Sequence, residues 1–308
     1  MPRALANRIE LDYDTHGEPA SGRPLVLLRG LGTQRIQWPS AFLDALVASG
    51  HWVVTFDNRD VGESQWFDAA GPPDLAALMD ALRSGREPRL AYSFADMADD
   101  VVGLLDALGI ASAHVAGMSM GGMLTTMVGH RHPERVRSLV AVMASTGNPA
   151  LPPPTPAALE VLMTPPPTER DAFIAHHVRS GRVLGSPGFP TPDAERAAMG
   201  ARVYDRAFHP EGTARQYAAI VASGDRRAAL ATIAAPTLVI HGSDDPLVPI
   251  EAGRDLAATI AGAELLEVEG MGHDLPVALC ARIADAIAAH TSEAESRAAR
   301  PGRVLETA

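Results

Sequence analysis

The sequence predicts an α/β fold: a mainly parallel central sheet with helices on both faces, interrupted once by an inserted helical segment. Three observations carry this expectation. Short apolar runs alternate with segments of helical spacing along most of the chain, which implies parallel strands joined by helical crossovers. The alternation stops near Gly147, where eight prolines fall between positions 149 and 167, and resumes at Pro236. A serine bracketed by glycines, Gly117-Met118-Ser119-Met120-Gly121-Gly122, lies where an apolar strand gives way to a helix.

Taken in order, Ile9–Tyr13 alternates apolar and polar residues and reads as a half-exposed strand. Pro24–Leu28 and Trp52–Phe56 are continuous apolar runs, which suit parallel strands buried on both faces. Pro39–Ser49 lies between them as a helix, with proline in its first turn and Gly50 just past its end. A helix over about Ala95–Leu108 carries a Ser93/Asp96 capping pair and an apolar stripe of Val101, Leu104, Leu105 and Leu108. Ser112–Ala116 is the strand before the serine turn, and Ser138–Val142 the strand after its helix.

The prolines between 149 and 167 favour stiff extended chain and forbid regular structure there. Helical spacing follows over about Thr168–Ser180, Asp193–Tyr204 and Thr213–Ser223. A strand at Pro236–Ile240, a helix at Ile250–Ile260, a strand at Glu264–Val268 and a helix at Pro276–His290 complete the pattern. Residues 1–146 and 228–290 therefore read as one core, 147–227 as a helical cap inserted into it, and 291–308 as a polar, flexible tail.

Composition narrows the function. A formal net charge of −11 with no basic cluster argues against nucleic-acid or anionic-membrane partners. Residues 107–129 carry no Asp, Glu, Lys or Arg, but five glycines and His114 make them a buried strand and helix rather than a bilayer span. A single cysteine, Cys280, excludes an internal disulfide framework, and Met1–Glu10 lacks an apolar signal region; both point to the cytoplasm. The oligomeric state is left open.

Ser119 carries the chemistry. Glycines two residues to either side permit a sharp strand-to-helix turn that lifts its hydroxyl clear of the sheet, at the positive end of a helix. A serine hydroxyl is a weak nucleophile and needs a base, which in turn needs an acid to fix its tautomer. Two later strand ends offer candidates on the same carboxyl edge: His241-Gly242-Ser243-Asp244-Asp245-Pro246 and Gly270-Met271-Gly272-His273-Asp274. His273 is the candidate base. Asp244 and Asp245 are adjacent, and only one of them can aim at His273 from a fixed turn.

In chain order and turn motifs, the sequence up to about His290 resembles the α/β-hydrolase family. The resemblance implies Ser119 as nucleophile, His273 as general base and acid, and Asp245 as the orienting acid. Asp245 fits because Gly242, Asp245 and Pro249 match the family's Gly-x-x-Asp-x-x-x-Pro spacing. It implies an oxyanion hole from the backbone N–H groups of Leu31 and Met120. The family commonly has His-Gly in the first of those loops, where this chain reads Arg29-Gly30-Leu31-Gly32. Asp57–Ser64 resembles the family's Asp-x-Arg-Gly-x-Gly-x-Ser turn, with Asp60 in place of its first glycine, and reads as support for the oxyanion loop.

A narrower similarity is to aclacinomycin methylesterase and related bacterial esterases. It rests on Leu31-Gly32, Trp38-Pro39, Phe56–Asp60 and Gly270–His273. It implies removal of a methyl ester from a large aromatic substrate beneath a helical cap, and supports the reaction more than the substrate. The expectation for this chain is hydrolysis of a carboxylic ester of a small or medium-sized hydrophobic molecule through an acyl-enzyme, without metal or organic cofactor. Gly30, Met118 and Trp38 are candidate substrate contacts. His176 and His177 on a cap helix read as surface or packing residues. The same triad serves perhydrolysis and the hydrolysis of amides, lactones or C–C bonds, and a non-catalytic ligand sensor is a further alternative.

Overall fold

The computed structural model describes residues 2–20 and 23–299. Eight strands form one sheet: β1 (Arg3–Ala6), β2 (Ile9–His16), β3 (Arg23–Leu28), β4 (His51–Phe56), β5 (Ala113–Met118), β6 (Val136–Val142), β7 (Thr237–Gly242) and β8 (Glu264–Val268). Their spatial order is β1-β2-β4-β3-β5-β6-β7-β8. β1 pairs antiparallel with β2 and β2 pairs antiparallel with β4, while every other pairing is parallel. Eleven α-helices lie among the described residues: α1 (Ser40–Ala48), α2 (Leu75–Arg83), α3 (Phe94–Ala107), α4 (Met120–Arg131), α5 (Pro156–Met163), α6 (Arg170–Leu184), α7 (Asp193–Arg206), α8 (Pro210–Ser223), α9 (Arg227–Leu230), α10 (Ile250–Thr259) and α11 (Val277–Ala298).

Strand side chains alternate between two cores, because successive residues point to opposite faces of a sheet. Val26, Leu28, Val54, Val115, Leu139 and Val239 pack with α3, α4 and α10 on one face. Leu25, Leu27, Val53, Ala116, Val140 and Ile240 pack with Phe42 and Leu46 of α1 and Leu279, Ile283 and Ile287 of α11 on the other. The Ser93/Asp96 capping box at α3 is present as the sequence predicts.

Three expectations are corrected. Strand β1 was not foreseen; it is four residues long and pairs only with β2. The proline-rich stretch is not wholly irregular, because α5 fits between its two proline clusters. Pro156 occupies the first turn, where no N–H is needed, and the Thr155 side chain caps Ala158 N–H. The last helix does not end at His290 but runs on to Ala298, with Thr291 and Ala294 buried. Residues 300–308 of the expected tail lie outside the described residues. Among the described residues, no helix is long and apolar enough to cross a membrane, and residues 107–129 divide into β5 and α4.

Candidate active site

The turn between β5 and α4 sets the site. Ser119 has φ 56° and ψ −122°, a left-handed conformation that a non-glycine residue adopts only under constraint. Its N–H is tied to Val142 O at 2.9 Å. The flanking glycines answer to close approach. A Cβ on Gly117 would come 2.2 Å from Gly121 O, and one on Gly121 would come 2.2 Å from Leu28 O. No side chain fits at either position.

From this turn the Ser119 hydroxyl lies 2.9 Å from His273 Nε2, and His273 Nδ1 lies 2.7 Å from Asp245 Oδ2. The second Asp245 oxygen accepts from the N–H groups of Leu247 (2.9 Å) and Val248 (2.8 Å), so the carboxylate is fixed by its own turn. Burial pushes the Asp245 pKa up, but the His273 charge and hydrogen bond, the Val248 N–H and His241 outweigh it. The result lies below the usual carboxylate range. The neighbouring Asp244 carboxylate accepts from Gly270 N–H at 3.0 Å instead. Three side chains from distant parts of the chain thus form one hydrogen-bonded row.

Leu31 borders the same cavity as Ser119, and Met120 follows Ser119 in the chain. Met120 is the first residue of α4, whose leading amides have no intrahelical acceptor. Among the described residues neither amide donates to another group. Gly30 brings the Leu31 loop so close that a Cβ there would stand 3.3 Å from Ser119 Cβ. Thr33 N–H and hydroxyl both bond Gly30 O, and the turn needs the positive φ of Gly32 (63°).

The Asp57–Ser64 turn buttresses this loop. Asn58 Nδ2 donates to Arg29 O, and Gln216 of α8 bridges Gly32 N–H and Arg59 O. Asp60 stands at φ 68° where the family has glycine, and its carboxylate is held by both Nε and Nη2 of Arg215 on α8.

Above the row lies a cavity of about 620 Å³. Its floor is Gly30, Leu31, Met118, Ser119 and His273, and its roof comes from α5 to α8, including Met163, Phe173, His177, Phe208 and Tyr217. Gly30 and Met118 therefore border the cavity. Trp38 does not: it is buried in the core, stacked on Phe42 at 5.4 Å, with the Arg29 guanidinium 4.6 Å from its ring. Its place as a candidate substrate contact is corrected, because a large aromatic ring at that position fills the layer between sheet and α1. His176 and His177 line the cavity rather than lying only on the surface. Among the described residues no group of side chains could hold a metal ion.

The sequence profile of the alpha/beta hydrolase fold matches residues 23–277. The chain belongs to the α/β hydrolase family. Rhodomycin D methylesterase DauP from Streptomyces sp. (strain C5) is 31% identical to it, over 96% of this chain and 99% of that one. Rhodomycin D methylesterase DnrP from Streptomyces peucetius is also 31% identical, over 90% and 93%. Among solved structures, the meta-cleavage product hydrolase CumD of Pseudomonas fluorescens IP01 superposes with a TM-score of 0.74 at 22% identity, covering 96% and 98% of the two chains. That likeness speaks to fold alone.

Sequence reasoning missed what positions the histidine. His273 N–H bonds Leu184 O at 2.7 Å, Gly272 N–H bonds the Ser186 hydroxyl at 2.9 Å, and Gly188 N–H bonds Gly270 O at 2.9 Å. The Asp274 carboxylate completes the tie through Ser186 N–H. Nothing in the spacing of Leu184–Gly188 signals a loop that reaches back across the chain to the His273 turn.

Proposed function

We propose that this hydrolase cleaves a carboxylic ester of a bulky, largely apolar molecule through an acyl-enzyme intermediate. The observation that carries the reading is the Ser119–His273–Asp245 row at the floor of the apolar cavity. His273 Nε2 takes the proton from Ser119 as the hydroxyl oxygen attacks the ester carbonyl, then returns it to the departing alcohol. Asp245 holds His273 with Nδ1 protonated and offsets the imidazolium charge. The N–H groups of Leu31 and Met120 take up the charge that develops on the carbonyl oxygen. Water then repeats the cycle on the acyl-serine.

Residues 147–227 act as a cap that chooses the substrate, since α5 to α8 supply most of the apolar wall. The 31% identity to two methylesterases along nearly the whole chain supports a methyl ester of a large aromatic acid as the natural bond. The test is turnover of p-nitrophenyl esters and of methyl esters of polycyclic aromatic acids. Ser119→Ala is expected to lower kcat by roughly four orders of magnitude. Equal, slow rates for both proteins would overturn the mechanism.

A further inference from the structure

Arginines enclosed in this fold are matched to acceptors. Arg35 pairs with Asp12, Arg59 with Asp100, Arg206 with Asp12 and Asp57, and Arg215 with Asp60. Arg226 donates to Ser145 O, Gly224 O and the Ser223 hydroxyl. Arg29 is different. Its guanidinium lies 4.6 Å from the Trp38 ring, and its one polar side-chain contact is Nη1 to the Met118 thioether at 3.8 Å. Its Nε has no hydrogen-bond partner, which is also true of Arg206 and Arg226, but unlike theirs its other nitrogens meet no oxygen acceptor among the described residues.

Arg29 is partly buried, and a charge drawn from water without a counter-charge is costly. A thioether is a weak acceptor and an aromatic face attracts the cation only as a whole, so Nε is left without a partner and Nη1 with a weak one. Burial draws the Arg29 pKa down to about 10, which leaves the group charged at neutral pH. Arg29 also borders the cavity, one residue before Gly30, and touches Met118, one residue before Ser119. The other formal charge bordering the cavity, Asp274, is bound by Ser186.

We infer that Arg29 is an anion subsite beside the nucleophile, and that the ester taken here carries a carboxylate or another ionised acidic group. A planar guanidinium held against Trp38 is pre-organised to bind a carboxylate through two parallel hydrogen bonds. On a chain of net charge −11 the overall field repels such a ligand, so the attraction is local. The inference rests on the ester-hydrolase reading above and adds a charge to its substrate.

The test has a kinetic and a binding arm. In the first, kcat/KM is compared for mono-p-nitrophenyl glutarate and adipate and for the uncharged p-nitrophenyl pentanoate. The wild type is expected to favour one of the charged esters by roughly tenfold or more. Arg29→Gln is expected to collapse that ratio, and Arg29→Lys to keep part of it.

In the second arm, calorimetry compares 2-naphthoate with 2-naphthamide. Naphthoate is expected to bind about tenfold tighter, with the difference gone in Arg29→Gln. Esters hydrolysed without charge preference, with naphthoate held no tighter than the amide, would overturn the anion subsite and leave ester hydrolysis standing. No ester hydrolysed, with naphthoate still held through Arg29, would overturn the hydrolase reading and keep the subsite. A preference that survives Arg29→Gln also overturns the subsite.

Discussion

An imidazole beside a hydroxyl becomes a useful base only when its other nitrogen is held in one protonation state, and in the proposed mechanism Asp245 would do this from a turn whose N–H groups fix its second oxygen. Asp244, one residue earlier, is turned to Gly270 N–H. Asp245→Asn is therefore expected to lower kcat by about a thousandfold or more, because an amide favours the wrong tautomer. Asp244→Asn is expected to stay within several-fold. Steady-state rates of the two variants check this, and a larger loss from Asp244→Asn would reverse the assignment.

At the scale of elements, the C-terminal helix is the informative case. Its extension past His290 is fastened to buried polar groups at the strand edges. Thr291 Oγ1 meets His51 Nε2 at 2.9 Å, and Glu295 meets Arg23 at 2.9 Å and His114 Nε2 at 3.4 Å. His114 Nδ1 in turn meets Ser138 Oγ at 2.8 Å.

Burial, together with the neighbouring His51, Arg137, Arg23 and His290, pushes the His114 pKa down to about 3; burial lowers His51 as well, with Arg23 adding and Leu46 O opposing. The folded protein keeps these rings neutral while the unfolded chain takes up protons below about pH 6.5. Stability is therefore expected to fall as pH drops from about 6.5 towards 3, with Tm as the measurement and His114→Gln as the variant that flattens the slope. Removing residues 291–308 is expected to lower Tm by about 5 °C or more at neutral pH, through loss of Thr291 and Glu295.

Across the whole molecule, the inserted helices are fastened to the core by buried ion pairs. Arg206 of α7 reaches Asp12 and Asp57, and Arg215 of α8 takes both oxygens of Asp60. Arg215→Met strands the Asp60 charge and is expected to cost about 3–5 kcal/mol in urea unfolding. Adding Asp60→Gly, which supplies the residue the family has there, is expected to recover most of that loss. A double-mutant cycle showing no coupling would contradict the pairing. Ser186 joins the insertion to the His273 turn, so Ser186→Ala is expected to lower kcat about tenfold with a small change in Tm.

Local patterns determined the α/β class, the strand order along the chain, the capped helix α3 and the Ser119 turn, since each depends on residues close in sequence. Gly117, Ser119 and Gly121 announce themselves because a turn that sharp tolerates no other arrangement. Turn spacing brought Asp245 and His273 into view but left Asp244 in competition, for two adjacent carboxylates differ only in where the folded turn aims them. What tertiary structure alone decided is contact between distant segments. It took Trp38 out of the cavity and set it under Arg29, and it carried the last helix onto His51 and His114. It closed Leu184–Gly188 onto the His273 loop and left Arg29, at the border of the cavity, without a counter-charge. Such pairings join residues up to 240 positions apart, and periodicity, which reads only neighbours, holds no record of them.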